Sequence, residues 1–402
     1  MSVSKDQNKI QEILTRGVEQ VYPKSEMLGA RLKEGKKLRL YVGIDPTGKD
    51  LHIGHALQLR KLKQFQDLGH EVIMLIGSFT GMIGDPTDKS AARQKLTRQQ
   101  VLENAATYKK QASRILSFSG KNPAKIMFNH KWLGKLTFEE IVDLASNFTV
   151  QQMLERDMFD RRLKEGKPIY LHEFFYPLMQ GYDSVAMDVD LEVGGSDQTF
   201  NMLAGRTLMK AVNNKEKMVM TLKLITNDEG KKMSKSEGGF VALNDAPKEM
   251  YGKIMAMDDS VIIPYFELAT DVSMSEIAGK KIQMEQGVNP RDIKADLAFA
   301  VVRLFHDEKS AQVAREHFAT VFQKHETPEE MNEVNVSAPE PILDVLVRSR
   351  LVMSKNEARR MIEQGGVKLD GAVVENIDLT VEGTPEGKVL QKGKRHFVKL
   401  VK

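Results

Sequence analysis

The chain has 402 residues, a formal net charge of +4 and 41% hydrophobic residues, which is the composition of an ordinary globular protein. This composition excludes collagen-like, low-complexity and wholly disordered chains, and the length predicts two to four domains. There is no cysteine, which excludes a disulfide framework, a thiolate zinc site and a cysteine nucleophile. The first residues lack the apolar stretch of a signal peptide, and the longest apolar run is too short to span a bilayer. We therefore expect a cytoplasmic protein with no membrane contact.

The positive charge is concentrated at the end of the chain. Residues 341–402 carry 12 Lys and Arg against 8 Asp and Glu, so the surplus of four there equals the net charge of the whole chain. Such a basic segment either contacts a polyanion or forms an ordinary solvated surface. Charge alone does not separate the two interpretations.

The first part of the chain predicts a parallel α/β sheet. Residues 1–35 have the apolar spacing of helices, Leu38–Ile44 reads as a strand, and the break at Asp45–Gly48 precedes a predicted helix over Leu51–Leu68. A continuous apolar run at Glu71–Gly77 predicts a second strand buried on both faces, which completes a βαβ unit.

The same pattern of elements continues to the middle of the chain. A glycine-rich loop (80–89) precedes a predicted long helix (98–117) and a short strand (124–128). Further predicted elements are helices at 139–144 and 171–182, strands at 190–193 and 218–222, and a polar loop at 227–239.

The rest of the chain predicts a different organisation. From 245 to 324 one helical pattern follows another, and 325–341 is acidic, polar and proline-containing, which is typical of a linker. The tail predicts two short helices and two hairpins, the first with an Asp-Gly turn. We expect an α/β domain with a parallel sheet (1–228), a helical domain (229–324), a linker (325–341) and a small α+β domain (342–402).

Two motifs carry candidate chemistry. Leu51-His52-Ile53-Gly54-His55 opens the helix that follows the first predicted strand, where unpaired N–H groups and the helix dipole suit a phosphate. His52 and His55 lie on one helical face, and Gly54 allows a ligand to approach the backbone. In the polar loop, Lys231-Lys232-Met233-Ser234-Lys235-Ser236 forms a cationic segment that could neutralise a leaving pyrophosphate. Either motif alone would be read as a solvated surface.

Together the two motifs match the signatures of class I aminoacyl-tRNA synthetases. The stretches around Tyr41–Thr47, Gly84–Thr87, Tyr176–Asp183 and Gly194–Gln198 resemble the bacterial tyrosyl-tRNA synthetases, and the tail resembles their C-terminal S4 RNA-binding module. The resemblance covers essentially the whole chain, and it implies that residues 1–228 form a Rossmann-like catalytic domain with an insertion at about 120–165. Met233-Ser234 replaces the Phe-Gly of many bacterial relatives, which marks a second bacterial branch.

The resemblance implies a tyrosine site. Tyr41 and Asp183 would hold the phenol hydroxyl of tyrosine, and a ligand without this hydroxyl would leave Asp183 unsatisfied, which is costly. Asp85, Tyr176 and Gln180 would bind the α-ammonium group, and Gln198 would contact the bound tyrosine. Asn129 and Trp132 stand where the family has an Asn and a Trp near the pocket, but we interpret Trp132 as a core side chain.

The resemblance also implies an ATP site and a tRNA site. Thr47, His52, His55, Lys232 and Lys235 would stabilise the phosphates in the transition state. Contacts to the rest of ATP would come from Asp45, Gly54, Gly195, Asp197, Lys235 and Ser236. Lys89 and Arg93 would join the phosphate site or contact the tRNA acceptor end. In the tail, tRNA would meet Arg348, Arg350, Lys355, Arg359 and Arg360, with Lys392, Lys394, Arg395 and Lys399 nearby.

The resemblance implies a tyrosine–tRNA ligase that uses ATP with Mg²⁺, binds no tight metal, forms a homodimer through the inserted segment and acts on tRNA(Tyr). Rate would come from positioning and charge stabilisation, because no covalent nucleophile or general base is evident. Three alternatives remain: a tryptophanyl-tRNA synthetase-like ligase, a nucleotidyltransferase, and a catalytically silent RNA-binding relative. Tyr41, Asp183 and the S4-like tail argue against the first, and the tail argues against the second.

Overall fold

The computed structural model describes residues 2–85, 96–226, 240–320, 331–393 and 396–402. By contacts between residues, the chain divides into two compact units, Met1–Asp307 and Glu308–Lys402. Within the described ranges, no helix combines the length and the apolar character that a membrane crossing requires.

The first unit is built on a six-stranded sheet with the order β1-β6-β5-β2-β3-β4. Neighbouring strands from β6 to β4 are parallel, and β1 pairs antiparallel with β6. The strands are β1 (Val18–Tyr22), β2 (Arg39–Ile44), β3 (Glu71–Ile76), β4 (Lys125–Phe128), β5 (Leu191–Gly195) and β6 (Met218–Leu222).

The strand order predicts the position of a binding crevice. The chain runs outward from β2 through β3 to β4, then returns to β5 beside β2 and continues to β6. The connections therefore diverge between β2 and β5, and ligands of open α/β sheets bind outside the carboxyl ends of the strands at such a point.

The helices of this unit cover the sheet and continue beyond it. They are α1 (Gln7–Thr15), α2 (Ser25–Glu34), α3 (Ile53–Leu68), α4 (Thr80–Ile83), α5 (Arg98–Ala105), α6 (Tyr108–Ala112), α7 (His130–Leu133), α8 (Phe138–Ala145), α9 (Val150–Leu154), α10 (Asp157–Lys164), α11 (Phe175–Met187), α12 (Thr199–Asn213), α13 (Pro247–Met255), α14 (Ile262–Ala269), α15 (Met274–Glu285) and α16 (Pro290–Phe305). Single 3₁₀ turns occur at Leu171–Phe174, Ser196–Gln198 and Asp259–Val261.

Two local predictions for this unit are wrong. The first 35 residues are not all helical, because Val18–Tyr22 forms the edge strand β1, in which only Val21 is buried, so its sequence gave no apolar alternation. The helix predicted over 98–117 is interrupted between α5 and α6. There Thr107 and Gln111 donate side-chain hydrogen bonds of 3.0 and 2.9 Å to the carbonyl of Lys49, which fixes α6 against the segment after β2.

The helical pattern after residue 245 is confirmed, but the compact units do not divide where the sequence suggested. Helices α13 to α16 lie in the same compact unit as the sheet, and the division falls at Asp307/Glu308, before α17 (Glu308–Phe318).

Besides α17, the described residues of the second unit form a five-stranded sheet with the order β10-β9-β12-β13-β7, a two-stranded pair β11-β8 and two short helices. The strands are β7 (Asn332–Asn335), β8 (Glu340–Pro341), β9 (Val367–Leu369), β10 (Ala372–Val373), β11 (Thr380–Val381), β12 (Lys388–Lys392) and β13 (His396–Val401), and the helices are α18 (Ile342–Arg348) and α19 (Lys355–Glu363). The Asp370-Gly371 turn between β9 and β10 has positive φ at both residues, which confirms the predicted hairpin.

The expected linker is wrong for its second half. Residues Asn332–Asn335 pair in parallel with β13, and Val336 has no exposed surface and belongs to the core of this unit. The segment is short and polar, so only the pairing with the last strand of the chain, which is distant in sequence, makes it a strand.

A buried histidine makes the stability of the first unit pH-dependent. His70 has no exposed surface, its Nδ1 accepts a hydrogen bond from the Leu38 amide at 3.2 Å, and its Nε2 has no hydrogen-bond partner among the described residues. Burial, helped by the charge of Lys37, lowers the pKa of His70 to about 4. Between pH 6.5 and pH 4 the unfolded chain therefore binds a proton at this histidine that the folded chain does not bind. The free energy of unfolding falls as the pH drops through this range.

We expect the free energy of unfolding to fall by about 2 kcal/mol between pH 7 and pH 5 because of this histidine alone. Urea unfolding of the wild type and of His70→Asn, which keeps an acceptor for the Leu38 amide, measures the difference. The wild type should lose about 2 kcal/mol more than the variant over this range. Equal losses would show that His70 is not the group responsible.

Candidate active site

A cavity of about 800 Å³ opens at the carboxyl ends of β2, β3 and β5, where the strand order predicts a crevice. Every described residue that the sequence predicted for ATP or tyrosine lines it: Tyr41, Asp45, Thr47, His52, Gly54, His55, Asp85, Tyr176, Gln180, Asp183, Gly195, Asp197 and Gln198. Lys232, Lys235 and Ser236, like Lys89 and Arg93, lie outside the described residues.

The two histidines are held by the start of α3. His52 is the N-cap residue, and its Nδ1 accepts a hydrogen bond from the Gly54 amide at 3.1 Å. The Nδ1 of His55 accepts one from the His52 amide at 3.2 Å. A neutral imidazole has one N–H, so in the neutral form of each ring this proton is on Nε2, where it can donate to a ligand oxygen. A Cβ at Gly54 would lie 2.9 Å from the His52 ring, so only glycine fits between them.

The described residues on either side of 227–239 lie at this cavity. After this segment, the Val241 carbonyl accepts from the Ile53 amide at 3.1 Å, and the Leu243 amide donates to the Leu51 carbonyl at 2.8 Å. Before it, Leu222 and Ile225 line the cavity wall. The residues that flank the lysine motif in the chain are thus close to the histidine motif.

Asp183 is buried in the cavity wall and accepts two hydrogen bonds. The Trp132 indole N–H donates to Oδ1 at 2.7 Å, and the Asn129 amide donates to Oδ2 at 3.1 Å. Burial raises the pKa of Asp183 well above its usual value, and these two hydrogen bonds oppose the rise.

The interpretation of Trp132 as a core residue is incomplete. Its ring packs against the core cluster around Tyr41, but its N–H donates to the carboxyl group of Asp183.

Tyr41 has no exposed surface, and its Oη lies 3.0 Å from Ser184 Oγ. Burial, with the nearby charges of Glu192 and Asp183, raises the pKa of the Tyr41 phenol, which therefore keeps its proton. Tyr41 and Asp183 both line the cavity, but the Tyr41 hydroxyl is hydrogen-bonded to Ser184 and not to Asp183.

Behind this wall lies a buried ion pair that the sequence reasoning missed. The Lys217 ammonium contacts Glu192 Oε2 and also donates to Ser184 Oγ at 2.7 Å. The other oxygen of Glu192 accepts from the Gln180 amide at 3.0 Å. One signal could have found it: Glu192 is a charged residue in an otherwise apolar buried strand, and such a charge requires a partner.

The two carboxylates near the expected ammonium site, Asp45 and Asp85, also have side-chain partners. Tyr176 Oη donates to Asp45 Oδ2 at 2.9 Å, so this tyrosine binds a residue expected to contact ATP. The Gln198 amide donates to Asp85 Oδ2 at 2.6 Å. Arg156, which the sequence reasoning missed, lies 3.4 Å from Asp85 Oδ1.

Arg156 is buried, and its guanidinium lies 5.3 Å from the ring centres of both Phe159 and Phe200. These aromatic faces and Asp85 hold a cation at the edge of the cavity. In the sequence, Arg156 is one of several charged residues in an amphipathic segment and carries no distinguishing signal.

The predicted RNA contacts in the second unit differ in their surroundings. Arg348 makes two hydrogen bonds of 2.9 Å to Glu340, and Lys355 pairs with Asp344. Arg350, Arg359 and Arg360 are exposed. The structure thus places Arg348 and Lys355 in surface ion pairs, while the other three present their charges to solvent. Lys394 and Arg395 lie outside the described residues.

Comparison with known proteins agrees with this arrangement. Residues 33–323 match the family model described as tRNA synthetases class I (W and Y), and residues 323–400 match the tyrosine–tRNA ligase SYY-like C-terminal domain. A tyrosine–tRNA ligase of Thermotoga maritima is 47% identical over 97% of this chain and 96% of the relative. One of Carboxydothermus hydrogenoformans is 45% identical over 97% of each chain.

Solved structures show the same fold. A C-terminally truncated mitochondrial tyrosyl-tRNA synthetase of Aspergillus nidulans superposes with a TM-score of 0.66 at 23% identity, over 78% of this chain and 94% of that one. A tyrosyl-tRNA synthetase of Archaeoglobus fulgidus complexed with L-tyrosine gives 0.58 at 20% identity, over 77% and 99%. With family models that together match residues 33–400 and relatives that align over nearly the full length, the chain belongs to the tyrosyl-tRNA synthetase family.

Proposed function

We propose that this chain activates tyrosine with ATP and transfers the tyrosyl group to tRNA(Tyr). In the first step a tyrosine carboxylate oxygen bonds to the α-phosphorus of ATP, and the bond from that phosphorus to the β-phosphate breaks, which releases pyrophosphate. In the second step the 3′-terminal adenosine of tRNA takes the tyrosyl group, and AMP leaves. The observation that carries the proposal is the buried carboxylate of Asp183 in the same cavity as the histidine motif.

The tyrosine side of the cavity fits a phenol. The phenol hydroxyl would donate to Asp183, whose oxygens already accept from Trp132 and Asn129, and its oxygen would accept from Tyr41. Asp85 with Tyr176 and Gln180 would bind the α-ammonium group, and Gln198 would hold Asp85 in place. A ligand without the hydroxyl leaves buried polar groups unpaired, so the site selects tyrosine over phenylalanine.

The phosphate side supplies donors rather than a nucleophile. The Nε2–H groups of His52 and His55, with Thr47, Lys232 and Lys235, would stabilise charge on the phosphates as pyrophosphate leaves. Asp45, Gly54, Gly195, Asp197 and Ser236 would contact the rest of ATP, which binds with Mg²⁺ as its counterion. Holding the carboxylate in line with the α-phosphorus supplies the remainder of the rate.

The second unit would bind tRNA. Structured RNA is recognised mainly through its backbone and shape, which suits the exposed cations Arg350, Arg359 and Arg360. Arg348 and Lys355 would exchange their carboxylate partners for phosphates. We place the catalytic domain at 1–228 and the helical, anticodon-side domain at 229–324 as functional divisions, although helices α13 to α16 lie in the same compact unit as the sheet. We expect the enzyme to act in the cytoplasm.

A homodimer is supported by exposed apolar side chains in the segment from α8 to the turn at Leu171–Phe174. Phe138 is 80% exposed and Leu171 is 74% exposed, and Val142, Val150 and Leu163 are exposed as well. We name these five residues the apolar patch. Exposed apolar patches mark interaction sites, and a second copy of this chain would cover this one.

Phe138→Asp is therefore expected to weaken the dimer at least about tenfold, because it places a charge in an apolar interface. Analytical ultracentrifugation over a range of concentrations measures the change. Val212→Asp, at an exposed apolar residue outside this patch, is the matched control and should leave the dimer unchanged. A monomeric wild type, or equal effects of the two variants, would contradict this interface.

Amino-acid-dependent ATP–pyrophosphate exchange tests the function. We expect exchange with tyrosine and far less with phenylalanine or tryptophan. Exchange with tryptophan would mean that the pocket is misassigned. If the folded protein shows no exchange with any of the three amino acids, the proposed ligase activity is wrong.

A further inference from the structure

We propose that Lys217 and Ser184 are positioning residues that hold the Tyr41 hydroxyl in place for bound tyrosine, and that they thereby contribute to the rejection of phenylalanine. The inference rests on the proposed tyrosine site, in which Tyr41 and Asp183 face the phenol. Neither Lys217 nor Ser184 contacts the substrate in this arrangement.

The Lys217 ammonium has a fixed orientation. It has no exposed surface, and its three protons have three acceptors: Glu192 Oε2, Ser184 Oγ at 2.7 Å and the Met202 carbonyl at 3.2 Å. A Cβ at Gly205 would lie 2.5 Å from Lys217 Nζ and 3.0 Å from Ser184 Oγ. Glycine at this position therefore leaves the space that the network needs.

The network reaches Tyr41 through Ser184. The Ser184 oxygen accepts a hydrogen bond from Lys217 at 2.7 Å and lies 3.0 Å from Tyr41 Oη, whereas Glu192 Oε2 is 3.5 Å from it. Either hydroxyl can be the donor between Ser184 and Tyr41, and Glu192 is a second hydrogen-bonding neighbour of the Tyr41 hydroxyl. Lys217, Ser184 and Glu192 together therefore fix the position of that hydroxyl.

The consequence reaches the cavity. A Tyr41 hydroxyl held by Ser184 and Glu192 has a fixed position in the wall that it shares with Asp183. The substrate phenol would donate its proton to Asp183 and hydrogen-bond to this hydroxyl. Phenylalanine has no hydroxyl, so it leaves both Tyr41 and Asp183 without this partner in a buried site. Without Ser184 or the ammonium, the Tyr41 hydroxyl loses an anchor and can turn away from the phenol.

Glu192 connects the same network to the ammonium end of tyrosine. Its Oε1 accepts from Gln180, one of the residues proposed to bind the α-ammonium group, at 3.0 Å. A change at Lys217 alone would leave Glu192 buried without its ion-pair partner and could unfold the protein. A test of Lys217 therefore changes Glu192 at the same time.

The test compares tyrosine and phenylalanine in ATP–pyrophosphate exchange. Ser184→Ala should lower kcat/KM for tyrosine about tenfold while leaving that for phenylalanine and the KM for ATP unchanged. Ser184→Cys, which keeps a weaker hydrogen-bonding group, should be intermediate. The neutral pair Lys217→Met/Glu192→Gln should reduce the tyrosine-to-phenylalanine ratio at least as much as Ser184→Ala.

Thr221→Val is the matched control. Thr221 is also buried, lies on the strand after Lys217 and donates one hydrogen bond of 3.1 Å to the Gln20 carbonyl, away from the cavity. It should leave the ratio unchanged. If Ser184→Ala lowers both amino acids by the same factor, the residue is only structural and the inference is wrong.

Failure of the proposed site has a different signature. If the wild type shows no tyrosine-dependent exchange, or if Asp183→Asn leaves the tyrosine-to-phenylalanine ratio unchanged, the site itself is misassigned. If Asp183→Asn changes the ratio and neither Ser184→Ala nor the neutral pair does, the site stands and the role of Lys217 and Ser184 is overturned.

Discussion

Asp183→Asn is expected to lower kcat/KM for tyrosine by about 10² or more and to remove most of the discrimination against phenylalanine. In the wild type, Trp132 and Asn129 each donate a hydrogen bond to one oxygen of Asp183. An asparagine has a single oxygen, so its NH₂ group must face one of these donors. The variant thus loses the charged acceptor for the phenol and leaves a buried donor unpaired, each of which costs about 1–3 kcal/mol.

Steady-state exchange with varied tyrosine, phenylalanine and ATP measures this effect. The KM for ATP should be nearly unchanged, because Asp183 lies on the tyrosine side of the cavity. Trp132→Phe, which removes one donor and keeps an aromatic ring, should give a smaller loss in the same direction. A thermal melt of each variant separates a local effect from unfolding. Equal losses for tyrosine and phenylalanine would contradict the assignment of Asp183 to the phenol.

The sheet and the position of the cavity follow from features that one sequence contains. The apolar strand before Asp45 and the next one at Glu71–Ile76 are buried on both faces, so their runs are continuous and unambiguous. The histidine motif directly after the first of them places a helix start at the sheet edge. Strand β1 lacked such a signal, because this edge strand buries only one of its five residues and needs no apolar pattern.

The residues that organise the site from behind could not be predicted in the same way. Lys217 follows Glu216 in a charged stretch and reads as a solvated loop, yet it has no exposed surface. Its partner Glu192 is distant in sequence, and only the neighbouring positions of β5 and β6 bring the two together. Arg156 similarly needs Phe200 and Asp85, which lie far from it in the chain. Sequence patterns report local periodicity and motifs, whereas these contacts depend on the completed sheet.

Trp132 shows the same limit in a single side chain. Its ring packs against apolar neighbours, as a core residue does, and that role is what an aromatic residue in the sequence predicts. Its N–H, however, needs an acceptor when it is buried, and the acceptor here is Asp183. The packing role was predictable from residue type, but the identity of the partner depended on α11.

The strongest effect on the phosphate side is expected from His52→Asn, which should lower kcat for exchange by about 10²–10³. In the wild type, His52 Nδ1 accepts the Gly54 amide and so caps α3, while Nε2 carries the proton offered to phosphate. Asparagine places its oxygen near the position of Nδ1 and has no group at the position of Nε2. The variant therefore keeps the helix cap and loses the phosphate donor, which separates the two roles of this side chain.

His52→Ala is the matched comparison, because it removes both the cap and the donor. It should lose a similar factor in kcat and, in addition, about 1 kcal/mol of unfolding free energy. Tyrosine binding, measured without ATP, should be unchanged in both variants because His52 lies at the start of α3 and not in the wall formed by Asp183 and Tyr41. If His52→Asn were as active as the wild type, His52 would serve only as a cap. The charge on the leaving pyrophosphate would then have to be stabilised by the remaining donors, Thr47, His55 and the lysines of the loop.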